Sequence, residues 1–228
     1  MILKLWFEGK SQSEIGRLLG IPRRTCSDII RRNGVYKERC KVQFDISSLD
    51  KANYAFILGE YLGDGHVSKM NRTYRIRIFQ DNKYPKVIQE IENSLEILFG
   101  KSNKLSGNGC TIIYAYSNSV PQYFPQHGKG LKKDRKIVLE DWQDEIINQY
   151  PLEFLRGLIW SDGCIFFNKA LGYSQIDFCN SSEDIKDLFC RVLDLIGIRY
   201  IRYPNYKSVR VSFKQDGILL IEAIGEKS

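Results

Sequence analysis

Asp64 and Asp162 are the residues of this chain whose surroundings could do chemistry. Each closes an apolar run, ILGEYLGDG at 57–65 and LRGLIWSDG at 155–163, and each is followed by glycine. A small residue recurs four positions apart in each run, Gly59 with Gly63 and Gly157 with Ser161. Residues at that spacing share one helix face, and small side chains on such a face let a second backbone approach closely. Two helices crossing there would bring Asp64 and Asp162 together at one end. Two carboxylates beside two helix C-termini repel each other and face the negative ends of both dipoles. A divalent cation would remove that cost, so the pair reads as a metal site.

The elements that would position these acids repeat. The acids are 98 residues apart, and the same offset lays Leu95, Glu96, Ile97 and Leu98 on Leu193, Asp194, Leu195 and Ile196, ahead of Gly100 and Gly197. This is a tandem duplication of about a hundred residues; a solenoid needs three or more shorter repeats. After each run the pattern turns from helical to alternating. Strands are expected at 66–70 and 73–80 in the first half and at 164–168 and 174–179 in the second, each pair a hairpin. Helices are expected at 85–99 and 182–196, further strands at 111–117, 200–203 and 208–214, and a last helix at 217–224. Along 208–214, Ser208, Arg210, Ser212 and Lys214 alternate with Val209, Val211 and Phe213, which gives one polar and one oily face. Arg75 and Arg77 share one face of their strand, and Gln175 and Asp177 share one face of theirs.

The first forty residues are helical in pattern. Ser11 and Glu14 form a capping box, Ile15, Leu18 and Leu19 follow on one side, Gly20 suits a left-handed helix end, and Pro22 suits a new first turn. Cys26, Ile29 and Ile30 face inward on the next helix. Small Gly16, turn Gly20 and apolar Ile15, Leu19, Ile21, Cys26 and Ile29 resemble the helix-turn-helix pattern over 12–31. That motif puts the early residues of its second helix at base edges, here Arg23, Arg24, Thr25 and Ser27, with Arg31 and Arg32 placed for phosphates. A strand or packed turn is expected at 42–46.

Composition narrows the classes. The chain has 228 residues, 43% hydrophobic, with 34 Lys and Arg against 27 Asp and Glu, a formal charge of +7. That balance suits a real core and an anionic partner such as nucleic acid. Six cysteines without a C-x-x-C pair exclude a disulfide framework and a zinc ribbon, and suit reduced thiols. No apolar run is long enough to span a membrane and the start shows no signal-peptide pattern. The expectation is a cytoplasmic, nucleoid-associated protein.

The two runs, with the repeat around them, resemble the paired signatures of the LAGLIDADG homing-endonuclease family, with the final acid of each signature at Asp64 and Asp162. The resemblance implies an α+β fold: a tandem, pseudo-twofold αββαββα core with two antiparallel saddle sheets, preceded by a small all-α helix-turn-helix domain. It divides the chain into the helix-turn-helix domain at 1–36, a linker at 37–50, halves at 51–124 and 146–228, and a basic inter-half loop at 125–145. It implies double-stranded DNA as partner, contacted by Arg75, Arg77, Lys129, Gln175, Asp177, Ser208, Arg210, Ser212 and Lys214 besides the helix-turn-helix residues. It implies Mg²⁺, or another divalent cation, held by Asp64 and Asp162 with the carbonyls of Gly63 and Ser161, and phosphodiester hydrolysis by a monomer. Family members often carry a catalytic lysine in the loop ahead of the second signature, where Lys132, Lys133 and Lys136 are the candidates. In the second half only Lys227 remains for that role. His66 and Cys164 follow the two Asp-Gly turns, and His66 could orient a water. Some bacterial transcription regulators resemble this arrangement with the domains in the opposite order and bind DNA without cutting it. An RNA maturase would use the same basic saddle.

Overall fold

The structure, a computed structural model, describes residues 1–34, 44–203 and 207–227. It divides into two compact units, 1–43 and 44–228. Of the expected features, Cys40, the 37–43 part of the linker and the start of the 42–46 segment lie outside the described residues.

The first unit packs α1 (Ile2–Phe7), α2 (Gln12–Leu19) and α3 (Arg23–Arg32) together. The capping box forms: the Ser11 amide donates to Glu14 Oε2 at 2.7 Å and the Glu14 amide to Ser11 Oγ at 3.3 Å. Gly20 ends α2 at a φ of 64°, which β-carbon-bearing residues adopt at a cost. Ile15, Gly16, Cys26 and Ile30 are buried. A β-carbon on Gly16 would meet the Ile21 carbonyl oxygen at 2.8 Å, so the turn between α2 and α3 closes only over hydrogen. Leu18, expected inward, is 60% exposed; the helix is only two turns long and Ile15 with Gly16 already fills its inner stripe.

The second unit opens with Phe44, whose ring sits edge-on to Tyr123 and Trp142, and a 3-10 turn at Ile46–Ser48. The first half then runs α4 (Lys51–Asp64), β1 (Gly65–Lys69), β2 (Tyr74–Asp81), α5 (Pro85–Phe99), β3 (Asn103–Ser106), β4 (Cys110–Ser117) and α6 (Val120–Tyr123). After α7 (Asp141–Gln149), the second half runs α8 (Pro151–Asp162), β5 (Gly163–Asn168), β6 (Tyr173–Cys179), α9 (Glu183–Leu195), β7 (Ile201–Arg202), β8 (Ser208–Val211) and α10 (Lys214–Ile224). The two four-stranded antiparallel sheets are ordered β1-β2-β4-β3 and β5-β6-β8-β7, the same topology twice. Among the described residues no helix is long and apolar enough to cross a membrane.

Three sequence expectations are corrected. The strand expected at 208–214 stops at Val211; Lys214 starts α10 and Phe213 is exposed, because the chain must leave the sheet to begin that helix. The segment 125–145 is not one exposed loop. Glu140 caps α7, and Gln126 is buried, its amide donating to Val138 O and Gln143 Oε1. The short edge strand β3 was hidden by its polar, exposed NKLS sequence.

α4 and α8 form the centre. Every residue from Tyr54 to Leu62 is buried, as expected for a helix enclosed on all sides. A β-carbon on Gly59 would lie 2.5 Å from Phe154 O and 2.8 Å from Leu158 N; one on Gly157 would strike Phe56 O and lie 2.8 Å from Glu60 N. The helices therefore touch backbone to backbone. Gly157→Ala should lower unfolding free energy by about 2–4 kcal/mol in urea titration, overriding a helix-propensity gain of about 1 kcal/mol. Gly107→Ala, whose nearest neighbour would be 3.7 Å away, should stay within about 0.5 kcal/mol.

Candidate active site at the paired helix ends

Because α4 and α8 cross at Gly59 and Gly157, their C-terminal turns arrive together. Ser161 fills the space beside Gly63, and Asp162 Oδ2 lies 3.2 Å from where a Gly63 β-carbon would stand. The Ser161 hydroxyl donates back to Gly157 O and Leu158 O at 2.8 and 3.0 Å, so the polar atom of this packed face is satisfied within its own helix. Gly63 and Ser161 thus serve the crossing, and their carbonyls point out of the helix ends.

The two acids are partly buried. Burial first, then the neighbouring Asp64 charge, pushes the Asp162 carboxyl up to about 6, partly countered by the Asn180 amide. Asn180 Nδ2 donates to Asp162 Oδ2 at 2.6 Å. Burial likewise raises Asp64, opposed by Lys227 and Lys132. One turn before Asp64, Glu60 is fully buried and, among the described residues, neither carboxyl oxygen has a hydrogen-bond partner. Burial first, then Asp64, pushes its carboxyl well above the usual carboxylate value. At the 98-residue offset its counterpart is Leu158.

Of the three loop lysines, only Lys132 reaches the helix ends. Its ammonium donates to the carbonyls of Tyr61, of Leu62 at 2.9 Å and of Gly63 at 2.8 Å, and sits 5.1 Å from the Tyr61 ring centroid. Burial lowers it to about 8, with Asp162 and Asp64 opposing. Lys133 is exposed and 3.5 Å from Asp134, and Lys136 is exposed. The second half has its own lysine there. Lys227 Nζ donates to Ser161 O at 3.2 Å and lies 4.6 Å from the Tyr84 ring centroid. Each helix end therefore carries one ammonium on the carbonyl before its aspartate and near a tyrosine ring.

A cavity of about 490 Å³ opens against this centre, lined among others by His66, Lys132, Lys133, Arg135, Asp162 and Asn180. Burial, then Arg77 and Lys132, pushes the His66 ring below the usual imidazole value. The cavity combines cations with one acid of the pair, the lining a phosphodiester would need. Arg135 and Asn180 escaped the sequence reading. Asn180 had a signal, since the repeat offset pairs it with Asn82.

The outward sheet faces differ. On the first sheet Arg75 and Arg77 share their face with His66, Ser68, Tyr114 and Tyr116. Arg77 donates to Ser68 Oγ at 3.1 Å, and neither arginine has a carboxylate within 4.0 Å among the described residues. On the second, Arg210 is tied to Asp177 at 3.1 Å and covers the rings of Phe166 and Tyr203. Gln175, read as a contact residue, is buried and bonded to Asn168 and Ser212 O. Ser208 is buried, Ser212 lies beyond the strand and Lys214 is helical. Lys129 is exposed in its loop. In the first unit Arg23, Arg24 and Thr25 are exposed at the start of α3, Ser27 is partly covered, Arg32 is exposed, and Arg31 pairs with Asp28 at 3.2 Å.

No protein-family model matches the chain. Uncharacterized protein MJ0314 of Methanocaldococcus jannaschii is 26% identical over 197 residues, 79% of this chain and 72% of that protein. The solved N-terminal LAGLIDADG domain of DUF199/WhiA is similar at TM-score 0.51 and 18% identity, over 81% of this chain and 88% of that one. The homing endonuclease I-WcaI bound to its DNA recognition sequence is similar at 0.53 and 14%, over 80% and 84%. Mesophilic variants of the homing endonuclease I-DmoI are similar at 0.50 and 18%, over 76% and 90%. The chain has the single-chain LAGLIDADG fold, with two halves in one polypeptide.

The raised Asp162 has a measurable consequence. A carboxyl whose folded value exceeds its unfolded value stabilises most below the unfolded value, and that contribution is lost as pH rises through about 6. In EDTA, Asp162→Asn should gain stability relative to wild type by about 1–3 kcal/mol between pH 4 and 7. Denaturant titrations at both pH values would read it; a constant difference would refute the assignment.

Proposed function

We propose that this protein binds double-stranded DNA sequence-selectively, as a monomer, and hydrolyses its phosphodiester backbone with Mg²⁺ or another divalent cation. The observation that carries the reading is the pairing of Asp64 and Asp162 at two helix ends, each with a lysine on the carbonyl before it. The homing endonuclease I-WcaI, which has the same fold, is bound to its DNA recognition sequence in its solved structure, and this agrees with the reading.

The donors suit the cation. Asp64, Asp162 and the carbonyls of Gly63 and Ser161 offer oxygen, and among the described residues no third His, Cys, Asp or Glu joins them in a metal-binding group. A hard cation that keeps waters and takes phosphate oxygens fits a site with two carboxylates. When bound, it would supply Lewis-acid stabilisation of the phosphoryl charge and a more acidic water. The chain's own groups do the rest. Lys132 and Arg135 would hold phosphate oxygens in the cavity, Asn180 would fix the Asp162 carboxylate, and His66 would orient a water. Arg75 and Arg77 would grip one DNA half-site, with Tyr114 and Tyr116 beside them. Arg23, Arg24, Thr25 and Ser27 would read a major groove from the first unit, with Arg32 on its backbone. Lys129 and Arg210 remain candidates for phosphate contact, and Lys133 and Lys136 lose the catalytic role to Lys132.

A second reading keeps DNA binding and drops cleavage, as in a transcription regulator. It is favoured by the lysines, which already satisfy the carbonyls of the helix ends without a metal.

Incubation of the full chain with a randomised plasmid library in Mg²⁺ discriminates the two. Linear or nicked products that vanish in Asp64→Asn, with gel-shift binding kept, are expected. Binding without products from wild type would leave the regulator. Binding should also weaken steeply with salt, and Arg75→Ala should reduce the slope of log K against log salt by about 1. An unchanged slope would remove Arg75 from the interface.

A further inference from the structure

Lys132 and Lys227 do more than stand near the acids. Each places its ammonium on a backbone carbonyl that a metal held by Asp64 and Asp162 would use: Gly63 O at 2.8 Å and Ser161 O at 3.2 Å. Lys132 adds the carbonyls of Tyr61 and Leu62, so it takes over two otherwise unsatisfied acceptors of the α4 terminus, Leu62 O and Gly63 O, and shares Tyr61 O with the Gly65 amide. Among the described residues neither ammonium has a carboxylate within 4.0 Å; their anionic surroundings are the helix ends and the more distant carboxyls of Asp64 and Asp162, joined for Lys227 by Glu60. The arrangement is duplicated although the two lysines reach it differently. Lys132 comes from a 3-10 turn ahead of α7, and Lys227 from the chain beyond α10. Two unrelated local structures deliver the same charge to the same kind of atom.

We propose that these lysines are tethered counter-ions that occupy the cation positions of the paired helix ends and keep divalent metal out until another anion draws them away. The proposal rests on the metal reading of the acid pair. An ammonium hydrogen-bonded to Gly63 O and a divalent cation coordinated to the same oxygen, at about 2.1 Å for Mg²⁺, would sit within a few ångströms of each other. Like charges so close in a poorly solvated site repel strongly. One must leave. Lysine is suited to leaving: its charge ends a flexible four-carbon stem with three rotatable donors. Lys132 also lines the cavity beside Arg135, so a phosphate entering there is the anion within its reach. The site is thereby stable without metal, and metal loading is coupled to the arrival of a phosphodiester.

Mn²⁺ titrated into the full-length chain at pH 7.5 without DNA, followed by calorimetry, tests this. Wild type should bind weakly, and the double variant Lys132→Met, Lys227→Met at least tenfold more tightly. In EDTA the double variant should also melt lower than wild type and recover with Mn²⁺, while the wild-type melting temperature stays unchanged. Equal Mn²⁺ affinity in the two proteins overturns the counter-ion gate and leaves the metal reading intact. Absence of binding by both at 5 mM Mn²⁺ overturns the gate and the metal reading together. If the double variant does not fold in EDTA, Lys227→Met, which gives up one carbonyl contact rather than three, is judged by the same criteria.

Discussion

Everything in the second unit hangs on the contact of two backbones at Gly59 and Gly157. Apolar burial is non-directional and would accept many arrangements of two greasy helices. A contact that admits no β-carbon accepts one crossing point. That point sets where the helices end relative to each other, and hence where two carboxylates, two sets of free carbonyls and two hairpins begin. Because β1 starts at Gly65 and β5 at Gly163, immediately after the acids, the sheets inherit their placement from the same contact.

The electrostatics follow from that geometry. Bringing helix ends together concentrates negative charge and partial charge where water is scarce, so the chain raises its carboxyls and supplies lysines. The outer faces are less constrained and have diverged. Among the described residues, the first sheet leaves Arg75 and Arg77 without carboxylate partners, whereas the second neutralises Arg210 with Asp177. Two halves of one topology thus present different charge to whatever lies along them.

The centre was legible in the sequence because its signals are local and repeated. Small residues at i, i+4, Asp-Gly endings and the 98-residue offset each survive without knowledge of tertiary structure, and so do the Ser11 capping box and the Gly20 helix end. What was not legible depends on distance in the chain. Nothing in the sequence near Lys132 separates it from Lys133 and Lys136; the 3-10 turn at Lys132–Asp134 does. Lys227 lies beyond the last helix and reaches Ser161 only because α10 runs back against α8. Alternation misled at 208–214, where polar and apolar residues keep period two past the point at which the chain leaves the sheet. It also assigned Gln175 to solvent, where its amide is consumed by Ser212 and Asn168.

Glu60 bears on why such a fold should be one chain. It stands at the crossing of α4 and α8 as a fully buried acid, opposite in the repeat to Leu158. In an assembly of two identical subunits, any residue at the axis is present twice, and a glutamate there would face its own copy. Two desolvated carboxyls would then compete for the same narrow space. Joining the halves covalently lets one copy keep the acid while the other becomes leucine. The duplication has thus freed the axis from its own symmetry, and the innermost layer of the fold is where each half can acquire a separate chemistry.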